Sequence, residues 1–314
     1  MLESRLERQI TLHQLRIFKS VVDHRSFTRA AEALFLTQPA VTHQMKTLAA
    51  AIGHPLFQPS RRRFALTAVG EALYERAGRI LALVRETGEA IDALLGSRGG
   101  SLLVAADTTV GIYVIPDALA DFHRRYPGIK LRLDVVNRAR VRELLINGDA
   151  DLGVLGRLWK DSALAAEPFM ENTVMWFCAP NHPLIKREPL HPKMLLEGPL
   201  LLREPGSGTR ETAESVLKRY GVEAKPAMEI ASNGALKRAV AGGLGVAAFS
   251  TWAVRLELAS GLLHPLRVRG FPVKRMWHIV WLKERLLSPA AQAFLAHLRS
   301  AQWRKRLPVA LGSE

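Results

Sequence analysis

Residues 33–48 read A-L-F-L-T-Q-P-A-V-T-H-Q-M-K-T-L. At about 100° per residue, Val41, Met45, Leu48 and Ile52 gather on one side of a helix, while Gln38, Thr42 and Lys46 form a row roughly 120° away, flanked by Pro39 and His43. The first side needs a core. The second is polar and nearly free of acids. Thr37 or Gln38 can cap the start, and Pro39 falls in the first turn, where a missing N–H costs nothing. Just upstream, Phe27–Leu34 suits a second short helix with Ser26 as its cap, and small Ala30 and Ala31 permit close approach; two helices so closely joined match a helix-turn-helix. On the polar row, Gln can pair with adenine, Thr and Pro can meet a thymine methyl, and Lys can reach guanine or phosphate in a major groove. A merely solvated polar face is the alternative.

The surroundings favour DNA. Leu15, Phe18 and Val22 add a third apolar helical stretch, so the segment from Leu12 to Ile52 reads as a compact helical unit. Leu56–Thr67 follows with Pro59 and the run Arg61-Arg62-Arg63, better suited to a hairpin than to helix. Residues 1–70 hold ten Lys or Arg against four acids, and a wing beside a recognition helix would set the three arginines over phosphate or in the minor groove. The candidate DNA contacts are Arg29, Thr37, Gln38, Pro39, Thr42, His43, Lys46, Arg61, Arg62 and Arg63.

From Ala68 to Leu95 there is no proline, and Leu73, Ala77, Ile80, Val84, Thr87, Ile91 and Leu94 are spaced alternately by four and three residues. That heptad seam predicts a long helix packed against a second copy, or one lying on its own domain. S-R-G-G-S at 97–101 reads as a hinge. Beyond it, short apolar runs (Leu102–Ala105, Lys130–Val136, Leu152–Leu155, Val174–Ala179, Leu200–Leu202, Val246–Phe249, Trp277–Leu282) alternate with helical patterns at Ile115–Tyr126, Arg140–Asn147, Arg210–Tyr220 and Ala235–Ala241. Such alternation predicts a sheet flanked by helices.

Global composition agrees. Apolar residues make up 48% and charged residues 23%, an ordinary globular balance that argues against long disordered tracts. The 44 Lys plus Arg exceed the 29 Asp plus Glu, giving a net charge of +15 that favours a polyanionic partner. Cys178 stands alone, which rules out an internal disulfide and a cysteine-rich zinc site and fits the cytoplasm. No segment reads as a signal peptide or a membrane span. The ten histidines show no metal-binding spacing, and neither a nucleophile with its base nor a dinucleotide fingerprint speaks for an enzyme. Cys178, Trp176, Trp252, Trp277 and Trp281 read as core.

The sequence resembles the LysR-type transcriptional regulators through L-x-Q-L-R-I-F from Leu12, S-F-T-R-A-A-E-A-L from Ser26, L-T-Q-P-A-V-T-H-Q-M-K-T-L from Leu36, G-x-P-L-F from Gly53 and L-T-x-x-G from Leu66. Thr42-His43 departs from the family's more frequent Ser followed by a basic or polar residue. The likeness is strongest to the branch that regulates carbon-fixation operons (CbbR-like), through D-L-G-V-L-G-R from Asp151, L-R-E-P-G-S-G-T-R from Leu202, S-N-G-A-L-K-R-A-V-A-G-G-L-G-V-A from Ser232 and L-S-P-A-A-Q-A-F from Leu287; a branch controlling sulfur assimilation shares similar motifs. The resemblance implies an α+β multidomain chain. A winged helix-turn-helix at 1–70, a linker and dimerisation helix at 71–96 and a hinge at 97–101 would precede an effector domain at 102–314, folded like periplasmic binding proteins. Its subdomain I would comprise 102–172 and 275–300, its subdomain II 173–274, with crossings near 172–176 and 273–277. It further implies promoter DNA, a homodimer or homotetramer and RNA polymerase as partners, an activator's role, and no cofactor beyond a small effector.

Four segments could converge on an effector. Arg203-Glu204-Pro205-Gly206-Ser207-Gly208-Thr209-Arg210 follows an expected strand and opens a helix, so its backbone N–H groups and hydroxyls suit an anion. Asp107-Thr108-Thr109, Asn137 and Ser232-Asn233 stand at comparable junctions, and in open α/β sheets ligands collect beyond the carboxyl ends of strands. Candidate effector contacts are Thr108, Thr109, Asn137, Arg203, Ser207, Thr209 and Asn233, with Arg203 supplying charge to a carboxylate or phosphate, as in a sugar phosphate or nicotinamide nucleotide. Plain helix capping rivals each of these roles. An architectural DNA binder without an effector is the remaining alternative.

Overall fold

The computed structural model describes residues 10–58, 64–94, 99–159, 163–300 and 302–306. The chain divides into two compact units, Met1–Ser97 with Glu143–Ala150, and Arg98–Arg142 with Asp151–Glu314.

In the first unit, helix α1 (Leu12–His24) starts on a reciprocal cap: the Thr11 hydroxyl accepts the Gln14 N–H, and the Gln14 side chain accepts the Thr11 N–H. Helix α2 (Phe27–Ala33) is capped by Ser26. Helix α3 (Gln38–Ile52) is capped by Thr37 and closes on Gly53 at φ 76°, a left-handed turn that glycine takes without strain. Phe18, Val21, Ala30, Ala31, Val41, Met45 and Leu48 form one buried cluster. Each fully buried large aliphatic in it stabilises the unit by about 1.5–3 kcal/mol.

The expected hairpin has a defined stem. Phe57 and Leu66 pair antiparallel, the Gln58 N–H donates to the Ala65 carbonyl at 2.9 Å, and the Thr67 N–H donates to the Leu56 carbonyl at 3.0 Å. The Phe57 ring anchors it, lying 5.8, 5.3 and 5.4 Å from the rings of Phe18, Phe27 and Phe64. Arg61, Arg62 and Arg63 lie outside the described residues. Helix α4 (Ala68–Leu94) leaves this stem through Gly70, where a Cβ would sit 2.2 Å from the Leu56 carbonyl oxygen. Only glycine fits there.

The heptad seam of α4 is not one continuous face. Leu73 and Ala77 pack into the unit's own core, whereas Ile80, Leu83, Val84 and Ile91 are exposed. Residue spacing alone could not separate the two halves, because both obey the same period.

In the second unit, β1 (Gly100–Asp107) lies between parallel β2 (Ile129–Val136) and β3 (Leu152–Leu155). The long strand β4 (Leu164–Cys178) pairs antiparallel with β9 (Val273–Leu282) from Leu164↔Leu282 to Val174↔Val273, with an irregularity between Pro168 and Met170. Strands β7 (Ala247–Ser250) and β8 (His264–Leu266) extend the sheet, whose order is β2-β1-β3-β9-β4-β7 with β8 beside β4. A two-stranded parallel piece, β5 (Leu201–Leu202) with β6 (Met228–Glu229), attaches through the Leu200↔Val246 bridge. One core cluster centres on Phe122, Trp277 and Phe294, and another on Trp176, Leu217 and Leu266. Strand β4 contributes to both, through Phe169 to the first and Val174, Trp176 and Cys178 to the second, while β9 contributes Trp277 and Ile279 to the first.

Several expectations are corrected here. The strand expected from Val174 begins at Leu164, because pairing with β9 overrides the Glu and Pro of L-A-A-E-P-F-M-E. The segments expected as crossings near 172–176 and 273–277 do lie side by side, pairing from Asn172↔Arg275 to Val174↔Val273 at one end of this longer ladder. Helices α5 (Thr108–Tyr113) and, near the end of the chain, Pro289–Arg299 were not expected, while α6 (Ile115–Arg125), α7 (Arg138–Ile146), α8 (Gly208–Arg219) and α9 (Asn233–Ala241) match expected patterns, three of them starting earlier. Cys178 is buried in the second core, its thiol pushed up to about 12 by burial, and Trp176 and Trp277 are fully buried. These side chains pack.

Candidate DNA interface and effector cleft

Helix α3 turns Val41, Met45 and Leu48 inward and leaves Thr37, Gln38, Pro39, His43 and Lys46 exposed, with Thr42 half-buried. The Gln38 Nε2 donates to the Thr42 hydroxyl at 3.0 Å, and that hydroxyl donates to the Gln38 carbonyl at 3.0 Å. Thr42 thus spends its hydroxyl on orienting the Gln38 amide, which leaves its methyl for an apolar contact. An oriented amide loses less entropy when it pairs with a base edge. Arg29 is exposed on α2. Phe35, which periodicity does not single out, is 96% exposed at φ 54° in the turn between α2 and α3. An apolar run gave no hint of that, because the turn's backbone decides where the ring goes.

The second unit brings the other candidates together. Asp107, Thr108, Thr109, Asn137, Arg203, Glu204, Gly206, Ser207, Gly208, Thr209 and Arg275 line one cleft. It is closed down to about 10 Å³, room for about one water. Thr109, Ser207 and Thr209 are buried, and Ser207 begins α8 without spending its hydroxyl on a cap bond. Asn137 is exposed, and its Oδ1 accepts the Arg140 N–H at 2.9 Å, so it caps α7 from the cleft wall. Asn233 does not line the cleft but accepts a hydrogen bond from Arg203 Nη1, and its own Nδ2 is buried without a partner.

Arg203, 3% exposed, was expected to offer free charge. Instead its Nε and Nη2 donate to the two carboxylate oxygens of Glu204 at 2.8 and 2.9 Å, a bidentate pair between sequence neighbours. The second cation was missed altogether. Arg275 reaches the cleft from β9 and donates through Nη1 to the Gly208 carbonyl and, at 2.6 Å, to the Thr212 hydroxyl. A Cβ on Gly208 would lie 3.3 Å from that Nη1, a tight contact that would press on the Arg275 guanidinium. Arg275 sits in the run V-K-R-M-W, with no local mark of a ligand residue. Burial pushes its pKa down, with Asp107 and Glu211 opposing.

Asp107, the other charged group in the cleft, accepts the Thr108 N–H at 2.8 Å and so caps α5 itself. Burial raises its pKa, against the Thr108 N–H and the charges of Arg275 and Arg203. Among the described residues no group of three or more His, Cys, Asp or Glu could hold a metal ion, and no helix is long and apolar enough to cross a membrane.

A winged helix-turn-helix joined through a long helix to a two-part α/β cleft defines a one-chain DNA-binding regulator with an effector domain. Residues 12–71 match the bacterial regulatory helix-turn-helix protein of the lysR family, and residues 95–303 match the LysR substrate binding domain, so the chain belongs to the LysR family of transcriptional regulators. It is 42% identical over 294 residues to a RuBisCO operon transcriptional regulator of Acidithiobacillus ferrooxidans, covering 94% of this chain and 95% of that one. It is 39% identical over 288 residues to the HTH-type transcriptional activator CmpR of Synechocystis, covering 92% and 94%. Among solved structures, the CcmR regulatory domain of Synechocystis in complex with 2-phosphoglycolate (2-PG) is 33% identical with a TM-score of 0.59, covering 63% of this chain and 95% of that one. A full-length OxyR variant from Pseudomonas aeruginosa shares the fold at TM-score 0.70 and 23% identity over 96% of each chain. These relatives are regulators, not enzymes.

Proposed function

We propose that this regulator controls a carbon-fixation operon, binding its promoter through the α3 face and sensing a small phosphorylated or carboxylated metabolite in the cleft of the second unit. The observation that carries the effector half is the gathering of Arg203, Arg275 and the hydroxyls of Thr108, Thr109, Ser207 and Thr209 around one cleft. Buried cations and hydroxyls at helix starts are what an anion requires. The operon half is supported by relatives named for RuBisCO operons at 42% and 38% identity.

The exposed row Ile80, Leu83, Val84 and Ile91 supports a homodimer through α4, since contiguous apolar surface on a long helix is costly in water. Two winged units would then read the half-sites of an inverted repeat, and a tetramer would bend the DNA between paired sites. Activation through RNA polymerase and residence in the cytoplasm belong to the same reading. An effector shifts promoter binding only if it prefers one conformation of the regulator over another.

Footprinting on DNA upstream of a carboxylase operon, with and without 2-phosphoglycolate, tests both halves. Protection of an inverted repeat whose extent changes with ligand is the expected result. Absence of protected bases overturns the regulator reading of that promoter. Protection indifferent to a panel of phosphorylated sugars, nicotinamide nucleotides and sulfur metabolites would leave an architectural binder.

A further inference from the structure

The cleft contains its own anions. Three of the five Arg203 N–H groups are engaged, one with Asn233 and two with Glu204, which takes the Nε/Nη2 edge that would otherwise grip an incoming anion with two bonds. The remaining space of about 10 Å³ is far below what a metabolite of several atoms occupies. Something lining the cleft has to move, and the two members of the pair are not equally free to do so. Arg203 is 3% exposed and tethered to Asn233, whereas the Glu204 side chain is 33% exposed and precedes Pro205 and Gly206 on an exposed turn. Glu204 can swing into water and regain hydration there. Arg203 cannot.

Resting on the reading of this cleft as an anion site, we infer that Glu204 is a built-in competitor, a carboxylate that occupies the Arg203 guanidinium and must be displaced by the effector. The consequence is a threshold. A ligand carrying one carboxylate merely replaces another carboxylate on the same fork, and the exchange is close to even. A phosphate brings a third terminal oxygen and a second charge, and the cleft residue Arg275 has a buried Nε with no hydrogen-bond partner, a donor that is costly to leave unmatched.

The test is isothermal titration of the full-length chain and its Glu204→Gln variant with 2-phosphoglycolate, and with glycolate by displacement. Removing a competitor removes the same cost from every ligand, so both should bind the variant tighter by a similar factor, about tenfold for a pair of this exposure. Glu204→Ala, which leaves no oxygen for Arg203, should tighten binding at least as much. Unchanged or weaker binding of 2-phosphoglycolate by both variants overturns the inference and makes Glu204 a positioning residue for Arg203. Tightening for 2-phosphoglycolate alone would also overturn it, because through-space repulsion scales with ligand charge and displacement does not. If neither wild type nor variants take up either anion, the anion-site reading itself falls, and the competitor with it.

Discussion

Gln38→Ala isolates the base-reading role of α3. Gln38 is exposed at the first position of the helix, with Nε2 held at 3.0 Å by the Thr42 hydroxyl, so its loss disturbs no core contact. A bidentate amide contact to adenine is worth about 1–3 kcal/mol, and a dimer reading two half-sites doubles this to about 2–6 kcal/mol. At about 1.4 kcal/mol per tenfold, operator affinity should fall by between about 30-fold and about twenty-thousand-fold. Gln38 is uncharged, so affinity for random duplex and the dependence on salt should stay the same. Thr42→Val keeps the methyl but frees the amide, and should cost a smaller part, about 0.5–1.5 kcal/mol per half-site. Arg62→Ala supplies the contrast: from charge alone it should weaken operator and random duplex alike and lower the salt slope by about 0.9 per lost phosphate contact. Fluorescence anisotropy on both duplexes at several salt concentrations reads all three variants. Equal losses on operator and random DNA for Gln38→Ala would refute the assignment of this face to base recognition.

Other outcomes follow from the same geometry. Val84→Glu places a charge in the exposed row of α4 and should shift the sedimentation coefficient toward that of a monomer; an unchanged coefficient would remove that row from the dimer interface. Thr209→Val deletes one buried hydroxyl with little change of shape, so titration should show effector binding weakened about tenfold while operator binding persists. Asp107→Asn keeps a capping oxygen but removes a carboxyl whose folded pKa is raised by burial. A raised carboxyl contributes most stability below its unfolded pKa and loses it as pH climbs through the folded value. The variant should therefore melt higher than wild type near neutral pH, with the gap closing in acid. A gap that widens in acid would show that the Asp107 charge is stabilising.

Much of the DNA-binding unit was legible in the sequence. The caps at Ser26 and Thr37 act within three residues, and the inward set Val41, Met45 and Leu48 follows from the helical period alone. Of the seven effector candidates, Thr108, Thr109, Asn137, Arg203, Ser207 and Thr209 line the cleft, because helix starts after strands carry a recognisable local chemistry. Asn233 acts one step away, through Arg203. Arg275 left no trace in its own neighbourhood, because it enters the cleft on a strand distant in the chain from every other wall residue.

The sequence by itself therefore determined what is periodic and local: the three helices of the DNA-binding unit, the caps at Ser26 and Thr37, and which face of α3 turns outward. Only the tertiary structure decided that Leu73 and Ala77 of the α4 seam pack against the unit's core while Val84 is exposed, that β4 begins at Leu164, and that Glu204 pairs with the Arg203 guanidinium. Capping and amphipathic periodicity are energies between residues a turn apart, so they are written in short stretches. The burial of one half of a uniform seam, the pairing of β4 with β9 and the occupancy of a cleft depend on what the fold packs around them, and no window of sequence contains that information.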